Sequence, residues 1–246
     1  MKRLYGLIGR TLSHSFSAAY FARKFAAGGE FEGCEYRNFE LPTIDDIVRM
    51  LDENPDLCGF NVTIPYKRDI FRYLDTVSDE ARRIGAVNCV KIDGGKLHGF
   101  NTDVDGIRVS LDSLIGGSRP ETLLLGTGGA SQAVQYVLAE REIPYRIVSR
   151  DPMRGNLTYE QIDRQVMQHT GMIINATPVG TFPHTDDAPA LPYGDLSEGC
   201  AIFDLVYNPP VTRFLALGAE HGAATLNGQM MLEEQAERSW VIWNSR

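Results

Sequence analysis

Residues 122–131 read Thr122-Leu123-Leu124-Leu125-Gly126-Thr127-Gly128-Gly129-Ala130-Ser131, an apolar run that passes directly into a glycine-rich turn. The spacing from Gln132 to Glu140 predicts a helix, and Tyr145 to Ser149 predicts a second strand. In this βαβ order, glycines let backbone N–H groups approach the phosphates of a dinucleotide at a helix N-terminus. A bare glycine pattern is a weak signal and Ser131 stands at its last position, but the context favours cofactor binding over a plain connection. We predict that four residues of the turn bind the cofactor: Gly126, Gly128, Gly129 and Ala130.

The residues that end the second predicted strand indicate which dinucleotide the chain uses. An acid there hydrogen-bonds the ribose 2′-hydroxyl of NAD, whereas an arginine accommodates the 2′-phosphate of NADP. Arg150 and Arg154 follow Ser149, so two guanidinium groups are available for a phosphate, and we predict NADP. Asp151 argues instead for NAD. In the alternative interpretation, both arginines are exposed side chains that pair with Asp151.

Composition and charge argue against several classes of function. The chain has 246 residues, of which 43% are hydrophobic, enough for two modest domains with a real core. Acids outnumber bases by 32 to 24, which argues against nucleic acid as a partner. We expect no membrane span, because no apolar run approaches roughly 18 residues, and no signal peptide. The four cysteines form no C-x-x-C, so we expect reduced thiols, no metal site and a cytoplasmic protein.

A second stretch, residues 59–67, carries the candidate chemistry: Gly59-Phe60-Asn61-Val62-Thr63-Ile64-Pro65-Tyr66-Lys67. Its alternation predicts a strand with Phe60, Val62 and Ile64 on one face and Asn61 and Thr63 on the other, stopped by the proline. Surface strands often end in this way. However, the stretch Gly99-Phe100-Asn101-Thr102-Asp103 offers a carboxylate, and we expect Lys67 and Asp103 to face each other across a substrate cleft.

Other polar residues have two open interpretations at this stage. Ser13, Ser15 and Ser17 precede a predicted helix, either as an N-cap or as hydroxyls that hold an anion such as a carboxylate. Asn88 is a lone amide in an apolar run, either bonded to nearby backbone or lining a cleft.

Two more candidates lie near the end of the sequence. Tyr207 closes a predicted strand from Ala201 to Tyr207, where it faces a ligand or simply ends the strand. Gln235 lies one helical turn after Met231 and presents its amide at the same surface or to solvent. The remaining patterns alternate strands and helices, so the predicted fold class is α/β.

Seven short motifs of this sequence, taken together and in order, resemble those of one known family. They are His14-Ser15-Phe16-Ser17, Asn61-Val62-Thr63-Ile64-Pro65-Tyr66-Lys67, Gly85-Ala86-Val87-Asn88, Asn101-Thr102-Asp103, Gly126-Thr127-Gly128-Gly129-Ala130-Ser131, Asn175-Ala176-Thr177, and Gly228 with Met231 and Gln235. Over nearly the whole chain these residues resemble the shikimate dehydrogenase family. The resemblance implies an N-terminal α/β substrate domain, residues 1–102 plus the closing helix at 228–246, and a Rossmann-like dinucleotide domain at 103–227.

The resemblance also implies an activity: the reversible, NADPH-dependent reduction of 3-dehydroshikimate to shikimate in aromatic biosynthesis, by a monomer or homodimer. Lys67 and Asp103 are the implied catalytic residues. The implied substrate-binding residues are Ser15, Ser17, Asn61, Thr63, Lys67, Asn88, Asp103, Tyr207 and Gln235. The implied cofactor-binding residues are Gly126, Gly128, Gly129, Ala130, Ser149, Arg150, Arg154, Thr177, Gly228 and Met231.

Departures from the family pattern keep alternatives open. Ser149-Arg150-Asp151 stands where members that prefer NADP often have N-R-T, and Ala18 replaces a usual proline. One alternative is an NAD-using quinate/shikimate dehydrogenase. Another is a catalytically silent relative that binds shikimate-like ligands as a regulator, although Lys67 and Asp103 argue against it.

Overall fold

Two β-sheets organise the chain in a computed structural model, which describes residues 3–12 and 16–245. The chain divides into a first unit, residues 1–103 with 232–246, and a second unit, residues 104–231. The predicted α/β class is confirmed by the alternation of helices and strands in both units. The predicted domain bounds, 1–102 with 228–246 and 103–227, stay a prediction.

The described residues form the following strands and helices. The strands are β1 (Arg3–Gly9), β2 (Cys34–Glu40), β3 (Leu57–Val62), β4 (Thr76–Val77), β5 (Cys89–Asp93), β6 (Lys96–Phe100), β7 (Thr122–Leu125), β8 (Tyr145–Val148), β9 (Met172–Asn175), β10 (Ala201–Asp204) and β11 (Ala224–Leu226). The helices are α1 (Phe16–Phe25), α2 (Ile47–Glu53), α3 (Asp79–Ile84), α4 (Asp103–Ile115), α5 (Gly129–Glu140), α6 (Arg164–Gln168), α7 (Arg213–Glu220) and α8 (Gln229–Asn244).

The sheet of the first unit has the order β2-β1-β3-β5-β6-β4. Strand β1 is parallel to both β2 and β3, whereas β5 is antiparallel to β3 and forms a hairpin with β6, as the turn signal Asp93-Gly94-Gly95 between them predicts. Leu4 and Ile8 of β1 pack into a core cluster on one face, and Tyr5 packs with Phe21 and Trp243 on the other. Because both faces are covered, β1 is apolar along most of its length.

The sheet of the second unit is parallel and has the order β11-β10-β9-β7-β8. The predicted strand, glycine turn, helix and strand are present as β7, α5 and β8. Strand β7 leads outward to β8, while its other neighbour β9 leads the opposite way to β10. Neighbouring parallel strands whose connections diverge leave a crevice at their carboxyl ends, which is where such sheets bind ligands.

Several predicted elements end elsewhere. Strand β3 stops at Val62, so Ile64 does not join the face of Phe60 and Val62 but is 77% exposed, because the chain turns through Pro65. Strand β10 stops at Asp204, three residues before Tyr207, because the Asp204 carboxylate accepts the Val206 N–H and takes it from the ladder. The sequence from Gln161 to Gln168 predicts a helix over the whole range, but only the short α6 forms there. Strand β11 has no counterpart among the predicted strands.

Within the described ranges, no helix combines the length and apolar character that a membrane crossing needs. All four cysteines are free thiols. Searched over the same part of the chain, His, Cys, Asp and Glu side chains nowhere gather in a group that could hold a metal ion.

Candidate active site and nucleotide cavity

Lys67 of the first unit is fixed by the turn that follows β3. The Tyr66 N–H donates to the Thr63 carbonyl oxygen at 2.9 Å and closes this turn. Tyr66 itself is buried, and its hydroxyl donates to the Leu41 carbonyl oxygen at 2.6 Å. The Lys67 carbonyl oxygen accepts the Val87 N–H at 2.8 Å. The lysine backbone is therefore held by the core on one side and by the segment before β5 on the other.

Asp103 stands at the first residue of α4 and pairs with Lys67. The Asn101 side chain accepts the Asp103 N–H at 3.1 Å and donates to the Ala86 carbonyl oxygen at 2.9 Å, which fixes the start of the helix. Lys67 Nζ lies 2.8 Å from Asp103 Oδ2, with side chains 21% and 6% exposed. The predicted meeting of these two groups is confirmed.

Asn88 joins this ion pair to the last helix. Its Nδ2 lies 2.8 Å from Asp103 Oδ1, 3.1 Å from Thr102 Oγ1 and 3.1 Å from Gln235 Oε1, while its Oδ1 accepts the Thr102 N–H at 2.7 Å. The bond to the Thr102 N–H agrees with the interpretation that this buried amide bonds nearby backbone, and its position in a cleft stays a prediction. The amide is the centre of a side-chain network, so it orients both Asp103 and Gln235.

Asn61 extends the network along β3. Its Nδ2 donates to Ser239 Oγ at 2.8 Å, and its Oδ1 accepts the Tyr36 hydroxyl at 2.9 Å. Burial raises the pKa of Tyr36, and a hydrogen bond with the Ser17 hydroxyl opposes the rise. Ser17 therefore lies beside the network, whereas Ser15, which was also predicted to bind substrate, lies outside the described residues.

We refer to this network as the polar cluster, and its members are Lys67, Asp103, Asn88, Thr102, Gln235, Asn61, Ser239 and Tyr36. Sequence reasoning assigned no role to Thr102, Ser239 or Tyr36. Ser239 Oγ accepts from Asn61, lies 3.3 Å from Thr102 Oγ1 and donates to the Gln235 carbonyl oxygen at 2.8 Å. The four-residue spacing of Gln235 and Ser239 on α8 was the one signal available. Thr63 is half-buried and, among the described residues, takes no part in the side-chain hydrogen bonds of the cluster.

The second unit contains a cavity of about 870 Å³, which we call the glycine-turn cavity. Its walls are the segments that follow β7, β8 and β9, and they include Gly126, Thr127, Gly128, Ser149, Arg150, Asp151, Arg154, Ala176, Thr177, Pro178 and Val179. Its volume is that of an ordinary small-molecule site. The cavity lies at the divergence of β7 and β9, where the strand order predicts a ligand.

The glycine turn has the features that a phosphate group requires. Gly126 has φ +104, and a Cβ there would lie 2.9 Å from Thr177 Cγ2, so only glycine fits. At Gly128 and Gly129 an added Cβ would meet nothing within 4 Å, so open space lies over the start of α5. Gly128 caps α5 without a side chain, which leaves N–H groups of the first turn for a ligand. Ser131 turns inward, and its hydroxyl donates to the Gly126 carbonyl oxygen at 2.7 Å.

Arg150 and Arg154 are exposed at the rim of this cavity. In the described part of the chain, neither guanidinium forms an ion pair. The Asp151 carboxylate instead accepts the Met153 N–H at 2.9 Å, and the Asp151 N–H donates to Ser149 Oγ at 3.1 Å. The alternative pairing of the arginines with Asp151 is therefore absent, and the acid stabilises its own turn.

Five predicted residues of the second unit lie apart from the described lining of the cavity: Gly129, Ala130, Tyr207, Gly228 and Met231. Tyr207 is half-buried, and burial raises its pKa. A Cβ at Gly228 would lie 2.2 Å from the Leu205 carbonyl oxygen, so this glycine permits a close approach of two segments. Met231 is buried. The geometry alone gives Gly228 and Met231 a packing role.

Comparison with known proteins agrees with the motifs. Residues 7–90 match the family model described as the shikimate dehydrogenase substrate binding domain. A shikimate dehydrogenase (NADP(+)) of Methanococcus maripaludis is 33% identical over 99% of this chain and 92% of its own. The enzyme of the same name from Caldicellulosiruptor saccharolyticus is 36% identical, again over 99% and 92% of the two chains.

A solved structure gives the same result. Shikimate 5-dehydrogenase from Thermus thermophilus, crystallised with NADP(H) and shikimate, superposes with a TM-score of 0.85 at 30% identity, over 99% of this chain and 94% of that one. Because the likeness in sequence and fold runs through nearly the whole length of each protein, the chain belongs to the shikimate dehydrogenase family.

Proposed function

We propose that this protein is an NADP-dependent shikimate dehydrogenase, which reversibly reduces 3-dehydroshikimate to shikimate in aromatic biosynthesis. The observation that carries the proposal is the Lys67–Asp103 pair, 2.8 Å apart at the edge of the buried polar cluster. Family membership supplies the reaction, and this pair supplies a group that can perform its proton transfer.

Lys67 is the proposed proton donor and acceptor. When bound, NADPH supplies a hydride to the ketone carbon of the substrate. Negative charge then develops on the ketone oxygen, so a proton donor must lie within hydrogen-bond reach. One N–H of the Lys67 ammonium is engaged by Asp103, which leaves two donors for a ligand. Lys67 is partly exposed, so a ligand can reach it.

Asp103 is proposed to orient the Lys67 ammonium and to accept a hydroxyl of the substrate. Its Oδ1 is held by Asn88, so the carboxylate cannot rotate away from the lysine without breaking a buried hydrogen bond. Asn61, Thr63, Asn88, Gln235 and Tyr207 are proposed to bind the remaining ring hydroxyls, and Ser15 and Ser17 the carboxylate. Fixing the ring in this way turns a bimolecular reaction into one between pre-oriented groups.

The glycine-turn cavity fits NADP. Gly126, Gly128, Gly129 and Ala130 are proposed to hold the pyrophosphate through the free N–H groups at the start of α5, and Ser149, Arg150 and Arg154 the 2′-phosphate. The unpaired state of both guanidinium groups in the described part of the chain supports NADP over NAD, since each lacks a competing carboxylate. Thr177 is proposed to contact the nucleotide from the end of β9. The assignment of Gly228 and Met231 is supported by their motif alone.

The proposal is tested by the absorbance of the reduced nicotinamide, with shikimate or quinate and with NADP⁺ or NAD⁺. We expect turnover with shikimate and NADP⁺ to exceed that of the other three combinations. Faster turnover with NAD⁺ or quinate would instead favour the quinate/shikimate dehydrogenase, and binding of shikimate without turnover would favour the silent regulator. A monomeric or homodimeric state, a cytoplasmic location and the lack of a nucleic-acid partner stay predictions.

A further inference from the structure

Asp204 is a fully buried carboxylate at the C-terminal end of β10. Three donors surround it. The Thr212 hydroxyl donates to Oδ2 at 2.6 Å, and Oδ1 accepts from Asn175 Nδ2 at 2.9 Å and from the Val206 N–H at 3.1 Å. An ionised carboxylate can only accept hydrogen bonds, so it determines which end of each neighbour is turned toward it.

Asn175, at the end of β9, transmits this orientation toward the glycine-turn cavity. Because its Nδ2 is held by Asp204, its Oδ1 faces the other way and accepts both the N–H of Thr177 at 3.0 Å and its hydroxyl at 2.6 Å. Thr177 Oγ1 in turn lies 3.3 Å from the Val179 N–H, which donates to it. Residues 176–179 line the cavity, so the shape of this wall depends on one amide orientation.

The position is unfavourable for a charged group. Burial raises the pKa of the Asp204 carboxyl to about 6, although the hydrogen bonds from Thr212, Val206 and Asn175 oppose the rise. An acid ionised at neutral pH in such a place lowers the stability of the folded chain. Buried groups with perturbed pKa values are more frequent at functional sites than elsewhere, and Asp204 adjoins a cavity without lining it.

We propose that Asp204 is a positioning residue for the nucleotide: it fixes the Asn175 amide, and through it holds Thr177 and the 176–179 turn in the shape that receives NADP. The proposal rests on the nucleotide assignment made above for this cavity. The charge of Asp204 also acts on a neighbouring titratable group, Tyr193. Burial and then the charge of Asp204 raise the pKa of Tyr193, while Arg213 at the start of α7 opposes that rise.

Two substitutions in the full-length chain test the proposal through NADP⁺ binding, measured by titration calorimetry at pH 8. Asp204→Asn keeps the shape of the side chain and one acceptor but removes the charge, so the hydrogen bond that orients the Asn175 amide is weaker. Thr177→Val keeps the branched shape but removes the hydroxyl that bonds Asn175. We expect each substitution to raise the dissociation constant of NADP⁺ about tenfold, which is the equivalent of one hydrogen bond. The double variant should bind NADP⁺ no more weakly than the single variant with the lower affinity, because both changes act through the hydrogen bonds of Asn175.

The pH dependence separates positioning from a general loss of structure. When Asp204 is protonated, its Oδ1 accepts from Asn175 as a neutral carbonyl and no longer as a carboxylate, so this bond weakens and the wild type should lose affinity for NADP⁺ as the pH falls through about 6. The 2′-phosphate of NADP⁺ also titrates near pH 6, but equally for all proteins compared. The ratio of dissociation constants, variant over wild type, should therefore fall from about tenfold at pH 8 toward unity at pH 5 for both Asp204→Asn and Thr177→Val.

The NADP⁺ affinity of Arg164→Ala, which removes an exposed arginine of the same unit that faces Asp195, is the internal control, and we expect it within about twofold of wild type. Unchanged NADP⁺ affinity in Asp204→Asn, additive losses in the double variant, or a ratio independent of pH would overturn the positioning role and leave the nucleotide assignment intact. If Asp204→Asn does not fold, the pH ratio of Thr177→Val decides the question in the same way. Failure of the wild type to bind NADP⁺ would refute the nucleotide assignment itself.

Discussion

Asn88 Nδ2 lies 2.8 Å from Asp103 Oδ1, on the same carboxylate whose Oδ2 lies 2.8 Å from Lys67 Nζ. The amide and the ammonium thus hold the two oxygens of one acid. Each oxygen therefore has one fixed partner and keeps a further acceptor site, and the position of the ammonium depends on an amide in the buried part of the cluster.

Replacing Lys67 by alanine should lower kcat by about 10² to 10⁴-fold, because the reaction loses its general acid. The KM for shikimate should change far less. Steady-state kinetics with NADP⁺ and shikimate measure both values. Lys96→Ala, an exposed lysine at the β5–β6 hairpin, is the matched control and should behave as the wild type. Near-normal turnover in the Lys67 variant would rule out the proposed role.

Asn88→Ala should lower both stability and kcat. It leaves Asp103 Oδ1, Gln235 Oε1 and the Thr102 N–H without their shared partner in a buried place. We expect a loss of about 1–3 kcal/mol in the free energy of unfolding, measured by urea denaturation. Wild-type stability together with wild-type kcat would show that the amide neither supports the cluster nor orients Asp103.

Arg150→Ala should weaken the binding of NADPH much more than the binding of NADH, since only NADPH carries the 2′-phosphate. The ratio of the two KM values measures the effect, which we expect at about tenfold or more for the loss of a charge-assisted contact. Arg164→Ala removes an exposed arginine of the same unit that faces Asp195, and it should leave the ratio unchanged. Equal losses for both nucleotides would remove the phosphate assignment from Arg150.

The stability of the wild type relative to Asp204→Asn should fall as the pH rises. The pKa of Asp204 is raised from 3.8 to about 6 in the folded chain, so between these values the folded state binds more protons than the unfolded state. This group therefore makes its full contribution to the free energy of unfolding of the wild type below pH 4. Roughly 3 kcal/mol of that free energy is lost by pH 7, whereas the variant has no carboxyl at this position to titrate. Urea midpoints of both proteins at pH 4 and pH 7 measure the change. A constant difference would contradict the assigned shift.

Gly59→Ala should destabilise the first unit strongly. A Cβ at this position of β3 would lie 2.3 Å from Trp243 Cδ1, and the Trp243 ring cannot withdraw easily because its Nε1 donates to the Val90 carbonyl oxygen at 3.0 Å. We expect a loss of about 1–3 kcal/mol from overpacking, visible as a lower urea midpoint. Gly117→Ala meets nothing within 4 Å and is the control. Equal midpoints for the two variants would show that the tryptophan moves freely.

Local patterns predicted most of the elements and the two residues of the central ion pair. The βαβ unit followed from apolar spacing and glycine placement, and Lys67 and Asp103 followed from polar stretches at strand ends. Ile64 and Tyr207 were placed wrongly in strands. Alternation cannot show where a turn interrupts a strand, and the bond from Val206 to Asp204 that ends β10 involves a side chain.

The rest of the cluster depends on contacts that no local pattern encodes. Ser239 is 178 positions from Asn61, and Tyr36 is 25 positions before it, yet both bond the same amide. A serine on a helix and a tyrosine on a strand have many ordinary uses, so their types gave no signal. Asp204 has no distinguishing signal in the sequence, because its burial and its three donors exist only in the folded sheet.

The first unit is built from two segments, with α8 supplying Trp243 against a sheet formed more than a hundred residues earlier. During translation, a nascent chain that has emerged as far as residue 231 contains all of the second unit but exposes the aromatic face around Tyr5 and Phe21. The second unit can therefore complete its fold before the first unit does. Until α8 has been synthesised, the first unit exposes an apolar sheet face that is prone to aggregation.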